Sequence, residues 1–489
     1  MPTRTGIMAL LAVFLTATVA LTATTVDEYL ERAQAARRVG DHARAIEQLS
    51  QAIQLSPSSA DLYFRRGVSY ESLGKLSEAV NDYDKALKLD PRLVTAYNNR
   101  GSVYYRRGDY DRAIADFSKA IELNPSYALA YYNRGNAFHG KGEYDRAIRD
   151  FSKAIELNPE DPDAYNNRGW AFLQTNKPHD SIADFDRAVE LNPKYALAYY
   201  NRGNAKLKAG DPDGSIKDLS KAIELNPEYA LAYFQRGNAH FHKEEVELAI
   251  EDYNRAARIM ANHAELYNNR GWAFFSKGNI AQAIRDVSKA VQLDPRLSKA
   301  WANRGWIHRS NKEYLKAIED FTQALTLEAG AAPLHLYRGL CYLETNQPDK
   351  AMADLEAAVR LDPNDAEAVL TLGLLKETTG EYDRAVELFN RLVVLKPKDP
   401  DAYCNLGMAL GKQGRFKEAI AQFSYALELN PHHRESYLNR GVAYEFIGDR
   451  SRARADFQAG LMIPENLETS RLLKQPINTV LLRRTITEQ

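Results

Sequence analysis

Two cysteines, Cys341 and Cys404, are all that 489 residues contain. A disulfide framework and a multi-cysteine metal site are thereby excluded. Excess charge is also lacking. Basic residues number 64 against 65 acidic ones, so no global field draws the chain to nucleic acid. The ten histidines are scattered, and the close pairs His240/His242 and His432/His433 do not have the i,i+4 spacing of a helical metal pair. No nucleophile motif and no phosphate-cradling glycine loop is present. The expectation is a chain with no catalytic residues, no metal and no cofactor. Long apolar runs are missing too, with one exception. After Arg4 an uncharged stretch extends from Ile7 to Leu21, and the small residues Thr22 to Thr25 follow it. This reads as a secretory signal peptide over residues 1–25, or as an anchor, since Gly6 to Ala23 is just long enough to span a bilayer. Either way the body of the chain is expected to be exported, in a periplasm or outside the cell.

What the sequence does have is repetition. Glycine stands at 67, 101, 135, 169, 203, 237, 271, 305, 339, 373, 407 and 441, always 34 residues apart. With this glycine as position 8, thirteen units tile residues 26–467. Position 20 is mostly Ala (Ala79, Ala113, Ala147) and position 24 is large (Tyr83, Phe117, Phe151). Position 27 is mostly Ala and position 32 mostly Pro (Pro91, Pro125, Pro159). Apolar residues recur at three- and four-residue steps, as in Ala113, Ile114, Phe117, Ala120 and Ile121, which marks a helix. Gly108, Gly142 and Asn176 near position 15 break a first helix, and the proline separates a second from the next unit. Small residues at 8 and 20 let the two helices approach closely. One such pair cannot bury its own faces, so stacked neighbours must supply the core.

Positions 7 and 23 are coupled. Ten of the twelve glycine-bearing units have Arg and Asp there, and the other two lose both, with Leu372/Leu388 and Leu406/Gln422. Pairing inside the unit leaves only the first unit mismatched (Arg32 with Gln48). Structural ion pairs Arg100–Asp116, Arg168–Asp184 and Arg270–Asp286 are therefore expected.

The pattern resembles the tetratricopeptide repeat (TPR) family. The resemblance implies an all-α, right-handed superhelical solenoid of antiparallel helix pairs, with a concave groove lined by the first helices. Position 6 points into that groove in the family, and here it carries Asn99, Asn133, Asn167, Asn201, Asn269 and Asn303. The row is similar to the asparagine ladder in the repeat domain of O-linked N-acetylglucosamine transferases, which holds peptide backbone. Position 9 adds Trp170, Trp272 and Trp306, three of the chain's four tryptophans. These nine residues are the candidate partner-binding site. Position 2 leans acidic (Asp61, Asp163, Glu265, Glu367, Asp401, Glu435, against Lys299), so a neutral or basic protein segment is the expected partner. A carboxylate-gripping adaptor would need Lys and Arg at positions 2, 5 and 6.

The function implied is a non-enzymatic protein–protein scaffold. A glycan-binding accessory protein of an envelope or secretion pathway is the alternative. A fused glycosyltransferase finds no room in the 25 residues before the repeats and the 22 after them. Two junctions depart from the pattern, IMANHAE at the end of unit seven and LEAGAAPLHL at the end of unit nine. The units accordingly divide into 26–331 and 332–467. The later group has a more apolar groove, suited to a second partner or to self-association. Residues 468–489 form a cap or tail.

Overall fold

The structure, a computed structural model, describes residues 25–464. The segment 1–25, apart from Thr25, and the tail 468–489 lie outside the described residues. Among those described there are 26 α-helices and no strand. The first pair is α1 (Val26–Arg38) and α2 (His42–Leu55), and the last is α25 (Arg434–Phe446) and α26 (Arg450–Met462). Every repeat follows this scheme, with a first helix over positions 1–13 and a second over 17–30, or 17–29 in the last. No described helix is long and apolar enough to cross a membrane.

The turn between the paired helices has one geometry throughout. The residue at position 15 adopts positive φ in all thirteen repeats. Nine are glycine, which enters this region without a Cβ clash, as Gly108 does at φ 78°. The other four are Asn176, Glu244, Lys312 and Asn346. The next amide then bonds back across the turn, Asp109 N to Tyr104 O at 2.9 Å, and closes the first helix. The same Asp109 caps the second helix by accepting from Arg112 N at 3.2 Å.

The two helices of a repeat meet at positions 8 and 24. A Cβ added to Gly101 would lie 2.8 Å from Phe117 Cε1, and one on Gly373 would lie 2.6 Å from Phe389 Cε1. The glycine is therefore a seat for the aromatic ring. Phe117, Phe151, Phe185, Phe321 and Phe389 are among the largest fully buried side chains, and the alanines at 20 and 27 pack around them. Burying each ring contributes roughly 1.5–3 kcal/mol.

The chain separates into two compact units, Met1–Glu245 and Val246–Gln489. The division falls between the two helices of repeat seven, and the change of composition near 331 lies within the second unit. There Ala331 precedes the helix Ala332–Glu344, with Pro333 in its first turn. Within each unit most first helices of successive repeats touch one another, whereas the second helices come less close. Each unit therefore curves with its first helices inside.

Candidate binding surface on the first helices

The arginine at position 7 turns away from this surface. Arg168 Nε and Nη2 donate to Asp184 Oδ2 and Oδ1 at 2.8 and 2.7 Å, a bidentate fork inside one repeat. Arg100 holds Asp116 in the same way at 2.8 and 2.7 Å, and Arg270 holds Asp286 at 2.6 and 2.8 Å. Arg66–Asp82, Arg134–Asp150, Arg304–Asp320, Arg338–Asp354 and Arg440–Asp456 repeat the geometry. Burial pushes the carboxyl groups of Asp116 and Asp184 up, against the pull of their arginines. Burial works against the charge on Arg168, but the bond and attraction from Asp184 outweigh it and leave the guanidinium raised.

A third bond was not legible beforehand. Nη1 of each arginine reaches back to position 25 of the preceding repeat. Arg168 donates to Ser152 Oγ at 3.0 Å, Arg134 to Ser118 at 3.1 Å, Arg270 to Asn254 at 3.0 Å and Arg202 to Asp186 at 2.7 Å. Ser152 Oγ in turn donates to Ile148 O in its own helix. One arginine thus closes its own helix pair and ties it to the pair before.

Asn99, Asn133, Asn167, Asn269 and Asn303 at position 6 lie half-buried on the first-helix face, and Asn201 is buried. Their amides are joined to position 5 of the preceding repeat. Asn133 Nδ2 donates to Asn98 Oδ1, Asn201 Nδ2 to Asn166 Oδ1 and Asn303 Nδ2 to Asn268 Oδ1, each at 2.9 Å. Asn167 Nδ2 reaches Tyr132 OH at 3.1 Å and Asn136 Oδ1 at 2.9 Å. Asn99 and Asn269 accept from Asn98 and Asn268 in their own helices. The row therefore links neighbouring first helices as well as facing outward. An amide offers two N–H groups and two lone pairs, so Asn133 keeps one donor and its carbonyl oxygen open.

Each tryptophan is half-buried beside a position-12 side chain. Trp170 meets the His139 ring edgewise at 4.4 Å, and burial lowers the pKa of that histidine. Trp272 rests on Phe275 at 5.2 Å. Trp306 lies between Tyr337, at 4.1 Å, and the Arg309 guanidinium, at 5.1 Å. The acids at position 2 are partly engaged. Asp61 holds Arg65 at 2.6 Å, Asp163 accepts from Tyr195 OH at 2.5 Å, and Asp401 Oδ1 lies 2.9 Å from His433 Nε2. Glu265, Glu367 and Glu435 have no such bond to a described residue.

No group of metal-binding side chains occurs among the described residues. Cys341 and Cys404 are free and buried, and burial pushes their thiols up to about 11 and about 12.

The family comparisons agree with this construction. The model described as "TPR repeat" matches 34–74, 71–108, 101–142 and 135–176. Two described as "Tetratricopeptide repeat" match 200–264 and 336–400, and 162–195, 264–297, 298–329 and 400–433. No curated protein matches. Among solved structures, YrrB, titled a TPR protein with an unusual peptide-binding site, is 28% identical over 40% of this chain and 97% of its own, with a TM-score of 0.35. MamA is 28% identical over 35% of this chain and 94% of its own, with a TM-score of 0.32. A tetratricopeptide repeat protein from Parabacteroides merdae is 24% identical over 48% and 93%, with a TM-score of 0.40. With matched repeats from residue 34 to residue 433, the chain belongs to the tetratricopeptide repeat family, whose fold serves as a scaffold for protein interaction.

Proposed function

We propose that this chain is a non-enzymatic scaffold that holds neutral or basic peptide or protein segments along its first-helix face. Asn99, Asn133, Asn167, Asn201, Asn269 and Asn303 meet the backbone of the segment, and Trp170, Trp272 and Trp306 meet its side chains. The observation that carries the reading is the pairing, in repeats five, eight and nine, of a half-buried position-6 asparagine with a half-buried indole three residues on along the same helix. Such pairs suit an extended chain whose amides need partners and whose side chains need apolar cover. Residues 1–25 direct export, as a cleaved peptide or a retained anchor. Fusion of residues 1–30 to a phosphatase active only outside the cytoplasm should give activity, and a silent but soluble fusion counts against export.

A random-peptide library and a glycan array, probed in parallel with the same chain, test the binding. Selected peptides should bind about tenfold more weakly to the Trp272→Ala/Trp306→Ala variant, the loss expected for aromatic anchors. Glycans that bind and depend on the same tryptophans, without peptides that do, would replace this reading with the glycan one.

A further inference from the structure

The first helices of repeats ten to thirteen, Ala332–Glu344, Ala366–Thr378, Pro400–Lys412 and Arg434–Phe446, carry a different surface. Leu340, Leu374, Met408 and Val442 stand at position 9, where repeats four to nine have Asn or Trp, and Leu370 stands at position 5. All are half-buried. One turn beyond position 9, on the same face, lie two glutamates, Glu377 after Leu374 and Glu445 after Val442. Glu377 is 7% exposed, and no described residue donates a hydrogen bond to its carboxylate. Oε1 of Glu445 is buried and also without a partner. Burial pushes the Glu377 carboxyl up, with Lys412 the one charge drawing it back. A buried carboxylate is stable only when paired and hydrogen-bonded. The surface therefore calls for aliphatic side chains interleaved with cations.

The chain itself contains such a segment. After the last described residue, Pro464, come Arg471-Leu472-Leu473-Lys474 and then Val480-Leu481-Leu482-Arg483-Arg484. From 471 to 484 there are four cations, no acid and six large aliphatic residues. The seven residues from Pro464 to Arg471 span at most about 25 Å, and packed helices lie roughly 8–10 Å apart. The first helices of repeats thirteen, twelve and eleven are thus within reach. We propose that residues 471–484 dock on the apolar first-helix face of repeats eleven to thirteen, aliphatic residues against Leu374, Met408 and Val442 and cations against Glu377 and Glu445. An external segment must displace them to bind there. This inference rests on the reading of the first-helix face as a binding surface.

Carbodiimide coupling in the full chain tests it, with isotope-labelled and unlabelled chains mixed to separate links within a chain from links between chains. Lys474 should couple to Glu377, Glu435 or Glu445 within one chain, and the links should vanish when Leu472, Leu473, Leu481 and Leu482 are all changed to Asp. Links only between chains, or only to Glu465 and Glu468 beside it, would overturn the proposal. A labelled synthetic peptide of residues 471–484 should bind this fourfold variant at least about tenfold more tightly than the unaltered chain, because a tethered competitor acts at millimolar effective concentration. Adding Glu377→Lys to the variant should remove that gain, and equal binding to both chains would refute the occupancy. If library peptides bind but Lys474 makes no such link, the binding surface stands and this occupant falls. If no peptide binds at all, both fall.

Discussion

Repeats five and eleven share a backbone plan but are held together by different chemistry. In repeat five, Arg168 forks onto Asp184 and reaches back to Ser152, and the rings of Tyr165 and Phe172 lie 5.7 and 5.9 Å from its guanidinium. In repeat eleven, Leu372 and Leu388 occupy the same two positions, 1% and 3% exposed, within the core cluster of repeats ten to thirteen. The backward link survives by another route. Lys376 extends to Glu356, the position-25 residue of repeat ten, at 2.8 Å, and to Glu381 at 2.9 Å. Two solutions thus satisfy one requirement. The helix pair needs a filled space between positions 7 and 23, and the array needs a tie from each repeat to the last. A polar fork does both with one side chain, whereas an apolar pair does the first and leaves the second to a lysine.

The largest expected effects come from mixing the two solutions. Arg168→Leu leaves Asp184 buried and unpaired, and Leu372→Arg buries a guanidinium without its carboxylate. Each should destabilise its repeat by about 3–5 kcal/mol. The completed swaps, Arg168→Leu with Asp184→Leu and Leu372→Arg with Leu388→Asp, should each recover most of that loss. Because stacked repeats open locally, amide hydrogen exchange across 162–195 and 366–399 is the measurement of choice. Losses that simply add in the double variants would mean that positions 7 and 23 do not act as a pair.

A feature common to both repeats should respond alike in both. Gly169→Ala would bring a Cβ 3.0 Å from Phe185 Cε1, and Gly373→Ala one 2.6 Å from Phe389 Cε1. Overpacking of about 1–3 kcal/mol is expected in each, larger at 373 where the ring is nearer. Thermal unfolding of the two variants reads the difference, and an unchanged melting curve at 373 would show that the ring moves aside at no cost.

These particulars also explain what was legible in the sequence. Helix pairing, the turn at position 15 and the Arg–Asp fork follow from residues that recur at one spacing and vanish together, as Leu372 and Leu388 do. Position 25 gives no sequence signal because it holds Ser152, Asp186, Asn254 or Glu356, residue types alike only in having an oxygen that accepts. The family resemblance implies that the asparagine row faces a partner. Its bonds to the preceding repeat, such as Asn133 to Asn98, depend on how closely first helices approach, which depends on packing and not on any local motif.

Within the polar solution the backward bond is the lesser part. Ser152→Ala removes the acceptor for Arg168 Nη1 but leaves the fork on Asp184. The expected loss is about 0.5–1.5 kcal/mol, the usual net value of one hydrogen bond. Exchange should quicken between repeats four and five more than inside repeat five. Equal quickening in both places would mean that the serine supports the fork itself.

The smallest effect concerns the turn that both solutions share. Gly380 of repeat eleven sits at φ 83°, while Asn176 of repeat five sits at φ 60° and Lys312 of repeat nine at φ 59°. Left-handed backbone costs an ordinary L-residue roughly 1–2 kcal/mol, because its Cβ crowds the following carbonyl, and asparagine tolerates it better. Glycine escapes the clash but gives up more conformational freedom on folding, which offsets about 0.5–1 kcal/mol of the gain. Lys312→Gly should therefore stabilise the chain by somewhat under about 1 kcal/mol, and Asn176→Gly by only a few tenths. Both are surface changes that leave the fork untouched, so denaturant midpoints should rise in that order without a change of slope. A Lys312→Gly variant no more stable than the Asn176→Gly one would show that the lysine is not strained at this turn, and that the left-handed position discriminates less among residues than its nine glycines suggest.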